Sequence, residues 1–404
     1  ITLSDATFNK NNVKRWGGAI YQANGTTVKA SNVTFDGNTA INTEIRDGCG
    51  GAIFNDGGTF TQEGGKFVNN EARTNGGAFY VQNGNITLKN VEVSGNTAGV
   101  AGAGFINKGV ATFEDTIFTN NTARGWGGAF NVKAGTLNFK VTEGKTLVYE
   151  GNKGGQSKED GSVKFFGHTG DFMYIQADTD ANTVANFKVD GSLTITDSIL
   201  AQSNNSHQVD LTKSGKGTLS LADMTGFVGN LTVEGGKLTI DSGIAEFDIN
   251  AQIGVNGDPW AKTPVEPSSD RVKTLASTKV TLQKDTELQL GDVKTAHDIE
   301  FTNTNGTLTI NSLKITSKQY VQLRPITASQ KSAASESAAV PASVKYLGKV
   351  KISGDATITD GLTVEKLLKT EKSGDTPAVY ENGEVEIASG TTTLGGSSKN
   401  EGTV

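Results

Sequence analysis

Polar and apolar residues alternate with a period of two in many short runs along this chain of 404 residues. Clear runs occupy 27–30, 85–88 and 135–139, and similar runs continue at 192–195, 218–221, 237–240, 307–310 and 384–387. Because successive side chains of a β-strand point to opposite faces, this alternation predicts strands with one buried face. The pattern therefore favours an all-β chain of many short strands.

A Gly-Gly-Ala motif followed by a large apolar residue recurs in the first third of the chain. Its copies are Gly17-Gly18-Ala19-Ile20, Gly50-Gly51-Ala52-Ile53, Gly76-Gly77-Ala78-Phe79, Gly102-Ala103-Gly104-Phe105 and Gly127-Gly128-Ala129-Phe130. Successive copies are separated by 33, 26, 26 and 25 residues. Paired glycines supply positive φ and allow close backbone approach at a corner, while the Ile or Phe is expected to point into the core.

A second motif, an aromatic residue followed three positions later by asparagine, recurs in phase with the first. Its copies run from Phe8 to Asn11, Phe35 to Asn38, Phe67 to Asn70 and Phe118 to Asn121, with variants from Val93 to Asn96 and from Tyr149 to Asn152. Asparagine tolerates the left-handed region at a turn, and its amide can bond to equivalent amides above and below. We therefore predict a ladder of stacked Asn38, Asn70, Asn96 and Asn121, with the aromatic residues stacked beside it.

Repeats of about 25 residues with two or three short strands cannot bury an apolar face alone, but stacked copies can. The fold class predicted is all-β, a right-handed parallel β-helix, which is a solenoid with the shape of an extended rod. The large apolar residues of the first motif are predicted to form one buried row, made of Ile20, Ile53, Phe79, Phe105 and Phe130.

The two motifs also divide the chain. Residues 1–152 are predicted to form coils that carry both motifs, and residues 153–404 to continue the β-helix with a looser repeat. Residue 1 falls in the middle of a repeat, so we expect either a segment of a longer protein or a subunit whose open edge is covered.

Three stretches have sequences that no coil requires. They are Asn42 to Asp47, residues 257–271, which contain Trp260 and end at Arg271, and the Ala/Ser-rich excursion near 327–343, from Ala328 to Ser343. Loops that leave a rigid scaffold are the usual place for binding residues. We therefore predict that any binding surface maps to these loops.

Two tryptophans, Trp16 and Trp126, each precede a Gly-Gly corner in the same phase of the repeat. They either staple the turn, which is the interpretation we favour, or form a stacking platform for carbohydrate.

Composition excludes several classes of protein. The net charge of −6 offers no field for the phosphates of nucleic acid, and the single cysteine, Cys49, rules out an internal disulfide. We expect Cys49 to be a buried filler. No stretch reaches the roughly 20 apolar residues of a membrane-spanning helix, so direct membrane insertion by this segment is not expected.

The motifs of residues 8–152 resemble those of the polymorphic membrane proteins of chlamydiae and of related bacterial autotransporter passengers. A second stretch, Leu-Thr-Lys-Ser-Gly-Lys-Gly-Thr-Leu at 211–219 with its continuation through 227–233 and 235–238, is similar to the passenger-associated repeat of many autotransporters. The resemblance implies a β-helical passenger that is extracellular, on the exterior of the bacterial outer membrane or secreted. It also implies a role in adhesion to host cells.

Solenoids of this kind also include enzymes, so catalytic residues have to be sought directly. The candidate acids do not recur at one position of the coil and have no arginine at a consistent offset; they are Asp36, Asp47, Asp56, Glu63, Glu92, Glu114 and Asp115. His168, His207 and His297 lack the spacing of metal ligands. We therefore expect no catalytic residue, no metal and no cofactor.

The leading interpretation is an adhesin or rigid surface stalk whose partner is a receptor on host cells or other bacteria. One alternative is a structural subunit that polymerises head to tail through its coil ends. A second alternative is a carbohydrate-active β-helix enzyme, which would require a cleft lined by carboxylates.

Overall fold

The protein is a parallel β-helix. The computed structural model describes residues 1–41, 48–155, 170–177, 181–203, 207–224, 226–242, 278–295, 298–315, 317–320, 344–347, 349–364, 366–370, 379–382, 384–396 and 399–400. Within these ranges no helix is present, and four sheets run along the stack of coils with all of their strand pairs parallel. The all-β solenoid predicted from the repeats is confirmed.

The first and longest sheet, sheet 1, extends over nearly the whole described chain. In spatial order it contains Thr2–Ser4, Thr27–Asp36, Thr59–Val68, Asn85–Lys89, Val110–Glu114, Thr136–Val141, Thr183–Val189, Val209–Ser214, Asn230–Val233, Thr278–Leu282, Ile299–Asn303, Lys349–Ser353 and Glu384–Ser389. The short strands Thr7–Asn9, Glu92–Ser94 and Ile117–Thr119 extend it sideways in the first coils.

Sheets 2 and 3 belong mainly to the first half of the chain. Sheet 2 contains Ile20–Gln22, Ile53–Asn55, Phe79–Val81, Gly104–Ile106, Phe130–Lys133, Met173–Gln176, Ile199–Gln202 and Phe227–Val228. Sheet 3 contains the two-residue strands Asn12–Val13, Thr39–Ala40, Glu71–Ala72, Thr97–Ala98 and Thr122–Ala123. An early coil therefore passes through sheet 2, sheet 1 and sheet 3 in turn.

Sheet 4 begins where sheet 3 ends. Its strands are Thr146–Tyr149, Ser192–Ile195, Thr218–Leu221, Lys237–Ser242, Glu287–Thr295, Thr307–Ile315, Ala356–Ile358 and Thr392–Leu394, with Leu362–Val364 and Lys399–Asn400 beside them. Two antiparallel ribbons pair Ser317–Tyr320 with Val344–Leu347 and Lys366–Thr370 with Val379–Asn382. In the described chain these four strands pair only within their own ribbons, so the ribbons lie outside the four parallel sheets.

The core forms because equivalent apolar residues of successive coils lie directly beside one another. In sheet 1, Phe113 pairs with Phe139, which pairs with Phe187, and all three side chains are fully buried. The rings of Phe139 and Phe187 stack with their centroids 4.7 Å apart. The apolar residues that alternate with polar ones along each strand thus form a continuous apolar interior along the stack.

The two glycines of each Gly-Gly corner have different roles. Gly50 has a φ of +68°, a conformation that favours glycine. Gly51 has no such requirement, but a Cβ on it would collide with the carbonyl oxygen of Gly77 in the next coil. The first glycine therefore makes the turn, and the second lets adjacent coils approach.

The predicted buried row is wrong at Phe105, and its first member, Ile20, is partly buried. Ile20, Ile53 and Phe79 do pair in register, but Phe79 continues to Gly104, which in turn continues to Phe130. Phe105 lies one residue further along and belongs to the outward-facing row. A shift of one residue reverses the face of a strand, and in the true alignment Ala101, at a φ of +60°, occupies the first-glycine position.

The missing side chain at Gly104 is replaced by a neighbouring ring. A Cβ on Gly104 would collide with the ring of Phe79, which extends over that position. The interior is therefore filled without a fifth large residue in the row, which explains why the Gly-Ala-Gly-Phe copy departs from the motif.

Candidate interaction surfaces

The asparagines of the second motif form a continuous hydrogen-bonded ladder. The Nδ2 of Asn38 donates to Asn70 Oδ1 at 2.9 Å, and Asn70 Nδ2 donates to Asn96 Oδ1 at 2.9 Å. Asn96 donates in the same way to Asn121 at 2.9 Å, and Asn121 donates to Asn152 at 3.0 Å. Each of these side chains is buried, so the ladder supplies the partners that buried amides require.

Backbone groups complete each step of the ladder. The backbone N–H of Asn70 also donates to Asn96 Oδ1, and Asn70 Nδ2 also donates to the carbonyl of Phe35 at 3.0 Å. The aromatic side chains of the motif stack beside the ladder, with the rings of Phe35 and Phe67 4.6 Å apart. The ladder thus joins the corner of one coil to the strand of the preceding coil.

The ladder ends on a carboxylate. Asp197 Oδ2 accepts hydrogen bonds from the backbone N and the Nδ2 of Asn152, both at 2.8 Å, and Asp197 Oδ1 accepts from Gly151 N at 3.1 Å. Burial raises the pKa of Asp197, while the bonds from Asn152 and Gly151 oppose that change. Asp197 was not identified from the sequence because it follows no repeat.

The left-handed backbone conformation was predicted at the motif asparagine, but it occurs at the residue before it. Positive φ occurs at Lys10, Gly37, Asn69, Gly95, Asn120 and Gly151, each of which precedes the asparagine of the second motif. The ladder asparagines are recruited for their hydrogen bonds and not for their tolerance of this conformation.

The outward side of sheet 2 carries an aromatic face, made of Trp16, Tyr21, Phe54, Tyr80 and Phe105. Pairs of these rings stack nearly parallel with centroids 4.9 to 5.6 Å apart: Tyr21 on Phe54, Phe54 on Tyr80 and Tyr80 on Phe105. Their ring faces are therefore occupied by one another along the stack. The sequence signal was an aromatic residue directly after the Ile or Phe of the first motif.

The exposed members of the aromatic face are Trp16 and Tyr21, whose relative solvent exposures are 37% and 47%. Trp16 stacks on Phe54 at 5.3 Å, and the guanidinium of Arg15 lies 4.5 Å from the centre of its ring. The hydroxyl of Tyr21 donates to Asp56 Oδ2 at 2.8 Å, and this bond raises the pKa of Tyr21. Trp16 thus packs against the other rings of the aromatic face.

Trp126 and Cys49, which lie near other Gly-Gly corners, also pack against neighbouring side chains. The ring of Trp126 stacks on Tyr174 at 5.8 Å, so both corner tryptophans pack on an outward aromatic residue. Cys49 is buried, with its Sγ 3.2 Å from Thr74 Oγ1.

The outward side of sheet 1 carries short polar side chains in register, which we call the hydroxyl–amide row. Its members, one from each successive strand beginning with Thr59–Val68, are Thr61, Thr87, Thr112, Asn138, Asn186, Thr212, Thr232, Thr281, Thr302 and Ser353. All of them are partly exposed. Lys29 precedes Thr61 in the same register and bounds the row at that end. Sequence reasoning missed the row because strand register, and not a motif, aligns it.

A lysine replaces an apolar residue in the core row of sheet 1. Lys213 lies between Phe187 and Val233 and is fully buried. Its Nζ donates to the carbonyls of Ser214, Gly215 and Gly235 at 3.0, 2.8 and 2.7 Å. Burial lowers the pKa of Lys213 to about 8.

The candidate acids are distributed over the surface. Lys89 Nζ lies between Glu63 Oε1 at 3.8 Å and Glu114 Oε1 at 3.3 Å. Glu92 bonds to Ser94 and Lys66, and both interactions lower its pKa. In the described part of the chain no three His, Cys, Asp or Glu side chains come together as a metal site.

The predicted binding loops lie outside the described residues. Asn42, Asp47, Trp260, Arg271, Ala328 and Ser343 all fall there, as do His168 and His297. The third loop is attached to the stack through a described ribbon, because Tyr320 pairs with Val344. The chain therefore departs and returns at adjacent positions around residues 321–343.

No helical segment within the described ranges has the length and hydropathy of a membrane span.

Comparison with known proteins agrees with the repeat pattern. The Chlamydia polymorphic membrane protein repeat matches residues 5–23, 32–56 and 115–133. The chain is 28% identical over 262 residues to the probable autotransporter YfaL of Escherichia coli strain K12, an alignment that covers 55% of this chain and 20% of that protein. The chain thus spans about a fifth of the length of the curated relative that it matches. It resembles the passenger of an autotransporter with polymorphic membrane protein repeats.

Proposed function

We propose that this chain is a β-helical passenger segment, displayed on the exterior of the bacterial outer membrane or secreted, that acts as an adhesin or rigid surface stalk. The similarity to a probable autotransporter and to polymorphic membrane protein repeats supports the passenger assignment. The single structural observation that carries it is the use of the repeated motif residues inside the stack, which leaves the lateral surface for binding.

The proposed partner is a receptor on host cells or other bacteria, recognised without a cofactor or a catalytic step. The charge distribution supports this because several acidic residues of sheet 1 pair with lysines across neighbouring coils. A glycosidase needs two carboxylates facing one substrate, whereas Glu63 and Glu114 face the same lysine. Incubation with neutral and acidic polysaccharides should yield no cleavage products, and product formation would contradict this part of the proposal.

Attachment of coated beads to host cells tests the adhesin role. Beads carrying the parent chain should attach, and deletion of residues 42–47, 257–271 or 328–343 should reduce attachment in at least one case. Shortening a loop costs little stability because closure entropy changes slowly with length, so circular dichroism should be unchanged. Beads that fail to attach when coated with the parent would contradict the adhesin role.

Electron microscopy tests the alternative of a head-to-tail polymer. Discrete particles of purified chain are expected for an adhesin or stalk. Filaments that lengthen with protein concentration would favour self-association through coil ends instead.

A further inference from the structure

We propose that the hydroxyl–amide row of sheet 1 is a binding face for an uncharged linear polysaccharide that lies along the axis of the solenoid. The inference rests on the proposed surface function, and it names a ligand class and a face for it. The observations that carry it are the register of the row, the chemistry of its side chains and the charge balance on either side.

The register gives the row its regular spacing. Thr87 pairs with Thr112, which pairs with Asn138, so each coil contributes one polar group at the same height on the sheet. Neighbouring strands lie about 4.8 Å apart, a distance comparable to one sugar unit of an extended polysaccharide. A ligand with hydroxyls repeated along its length can therefore meet the same groups in every coil.

The side chains of the row are both short and stiff. Threonine is restricted at χ1, so its hydroxyls are presented in similar directions, and each hydroxyl can both donate and accept. Two amides extend the pattern: Asn138 Nδ2 donates to Thr112 Oγ1 at 3.4 Å, and Asn186 Nδ2 donates to Asn138 Oδ1 at 2.9 Å. This arrangement presents a pre-ordered line of donors and acceptors, which reduces the entropic cost of binding.

Charge complementarity selects an uncharged ligand. From Thr61 to Ser353 the row contains no ionisable side chain. Charged groups of both signs flank it. Several of them pair across coils, as in Lys89 with Glu114 at 3.3 Å and Lys349 with Glu384 at 2.9 Å, while Lys140 and Lys188 are neighbours in register. The row itself therefore offers no charge to a polyanion or a polycation, whereas a polyhydroxyl chain gains hydrogen bonds from its hydroxyl and amide groups.

Sheet 4 provides a matched control. It also has an outward polar row, in which Thr194, Ser220, Thr239, Gln289 and Thr309 are in register. This row begins at Val148 and is interrupted by the long, exposed side chain of Gln289. Threonine-to-valine changes there alter the same chemistry on a different face.

Co-sedimentation with microcrystalline cellulose and chitin tests the proposal. The fourfold variant T87V/T112V/T212V/T232V retains the shape and β-branching of each side chain but loses four hydroxyls. It should bind about tenfold more weakly, equivalent to about 1.4 kcal/mol. The control T194V/T239V/T309V should bind like the parent, and circular dichroism should show that both variants are folded.

Any of four binding results would overturn the proposal: no sedimentation of the parent, unchanged binding of the fourfold variant, weaker binding of the sheet 4 control, or stronger binding of the parent to heparin-agarose. Parent dimers in light scattering that the fourfold variant abolishes would assign the face to a second copy of the chain and also overturn it. Bead attachment separates this proposal from the adhesin role, because attachment without polysaccharide binding contradicts only the ligand class.

Discussion

The described coils before residue 152 have an interior rich in aromatic side chains and an asparagine ladder, whereas the described coils after residue 209 have a mainly aliphatic interior and no such ladder. Ten fully buried phenylalanines lie at or before Phe187, whereas Phe227 and Phe301 are the fully buried ones that follow among the described residues. Later coils stack Leu219, Leu238 and Leu288 instead. The two regions keep the same parallel pairing in sheet 1 and fill it with different side chains.

The coil itself also becomes smaller. Asn70 and Asn96 of the ladder are 26 residues apart, whereas Asp210 bonds to Asn230 over 20 residues. Sheet 2 has Phe227–Val228 as its last described strand, after which the described coils alternate between sheets 1 and 4. A narrower coil encloses less volume, so leucine, valine and isoleucine fill most of it at native packing density, with Phe301 as the large exception.

The comparison teaches that one register of parallel strands is compatible with two ways of stabilising a corner. The early corners are fixed by buried amides, and Lys213 supplies three hydrogen bonds near the point where the coil narrows. Both devices satisfy carbonyls that the strands leave unpaired, since a buried polar group without a partner is costly.

Truncating one core residue in each region should give the largest effects. Phe118→Ala removes a ring that lies 4.9 Å from Phe113 and 4.7 Å from Phe130, and should cost about 3 to 5 kcal/mol of unfolding free energy. Leu238→Ala should cost about 2 to 5 kcal/mol. Hydrogen exchange followed by mass spectrometry should show that the Phe118 variant loses amide protection before residue 152. The Leu238 variant should lose amide protection after residue 209. Uniform loss in both regions would show that the stack unfolds as one unit.

The ladder should be the next most sensitive feature, and only in the N-terminal coils. Asn70→Leu leaves the backbone N–H of Asn38 and the carbonyl of Phe35 without their side-chain partner, at a cost of about 2 to 4 kcal/mol. The exposed Asn83→Leu is the matched control and should unfold like the parent. Equal unfolding temperatures for the Asn70 variant and the parent would remove the ladder from the stabilising interactions.

Lys213 should make stability depend on pH through the C-terminal coils. Its pKa is lowered from 10.5 to about 8 by burial, so the unfolded chain binds more protons between these values and stability rises with pH. The gain should be about 2 kcal/mol between pH 7.5 and 9.5, measured as the difference in unfolding free energy between the parent and Lys213→Met. Parallel pH profiles for the two proteins would contradict this assignment.

The register correction leads to the smallest expected effect. Phe105→Ser changes a partly exposed residue of the aromatic face and should cost about 1 to 2 kcal/mol, whereas Phe130→Ser changes a fully buried residue and should cost more. Chemical denaturation of the two variants compares them directly. A larger loss for Phe105 than for Phe130 would restore the alignment read from the sequence.

The sequence by itself determined the class of fold, the position of most corners and the asparagine ladder. Each of these depends on residues with few conformational or hydrogen-bonding alternatives: a glycine at positive φ, a second glycine with no room for a Cβ, and an asparagine that repeats once per coil. Such local requirements can be recognised from a sequence motif because every copy of the repeat has the same residue at the same position.

Only the tertiary structure decided which residues from different coils lie side by side. Gly104, and not Phe105, continues the buried row because the ring of Phe79 fills the vacant volume, and no local pattern encodes that replacement. The aromatic face, the carboxylate of Asp197 at the end of the ladder and the hydroxyl–amide row have the same origin. Their members are about 20 to 50 residues apart in sequence and meet because parallel register brings one residue from every coil to the same position.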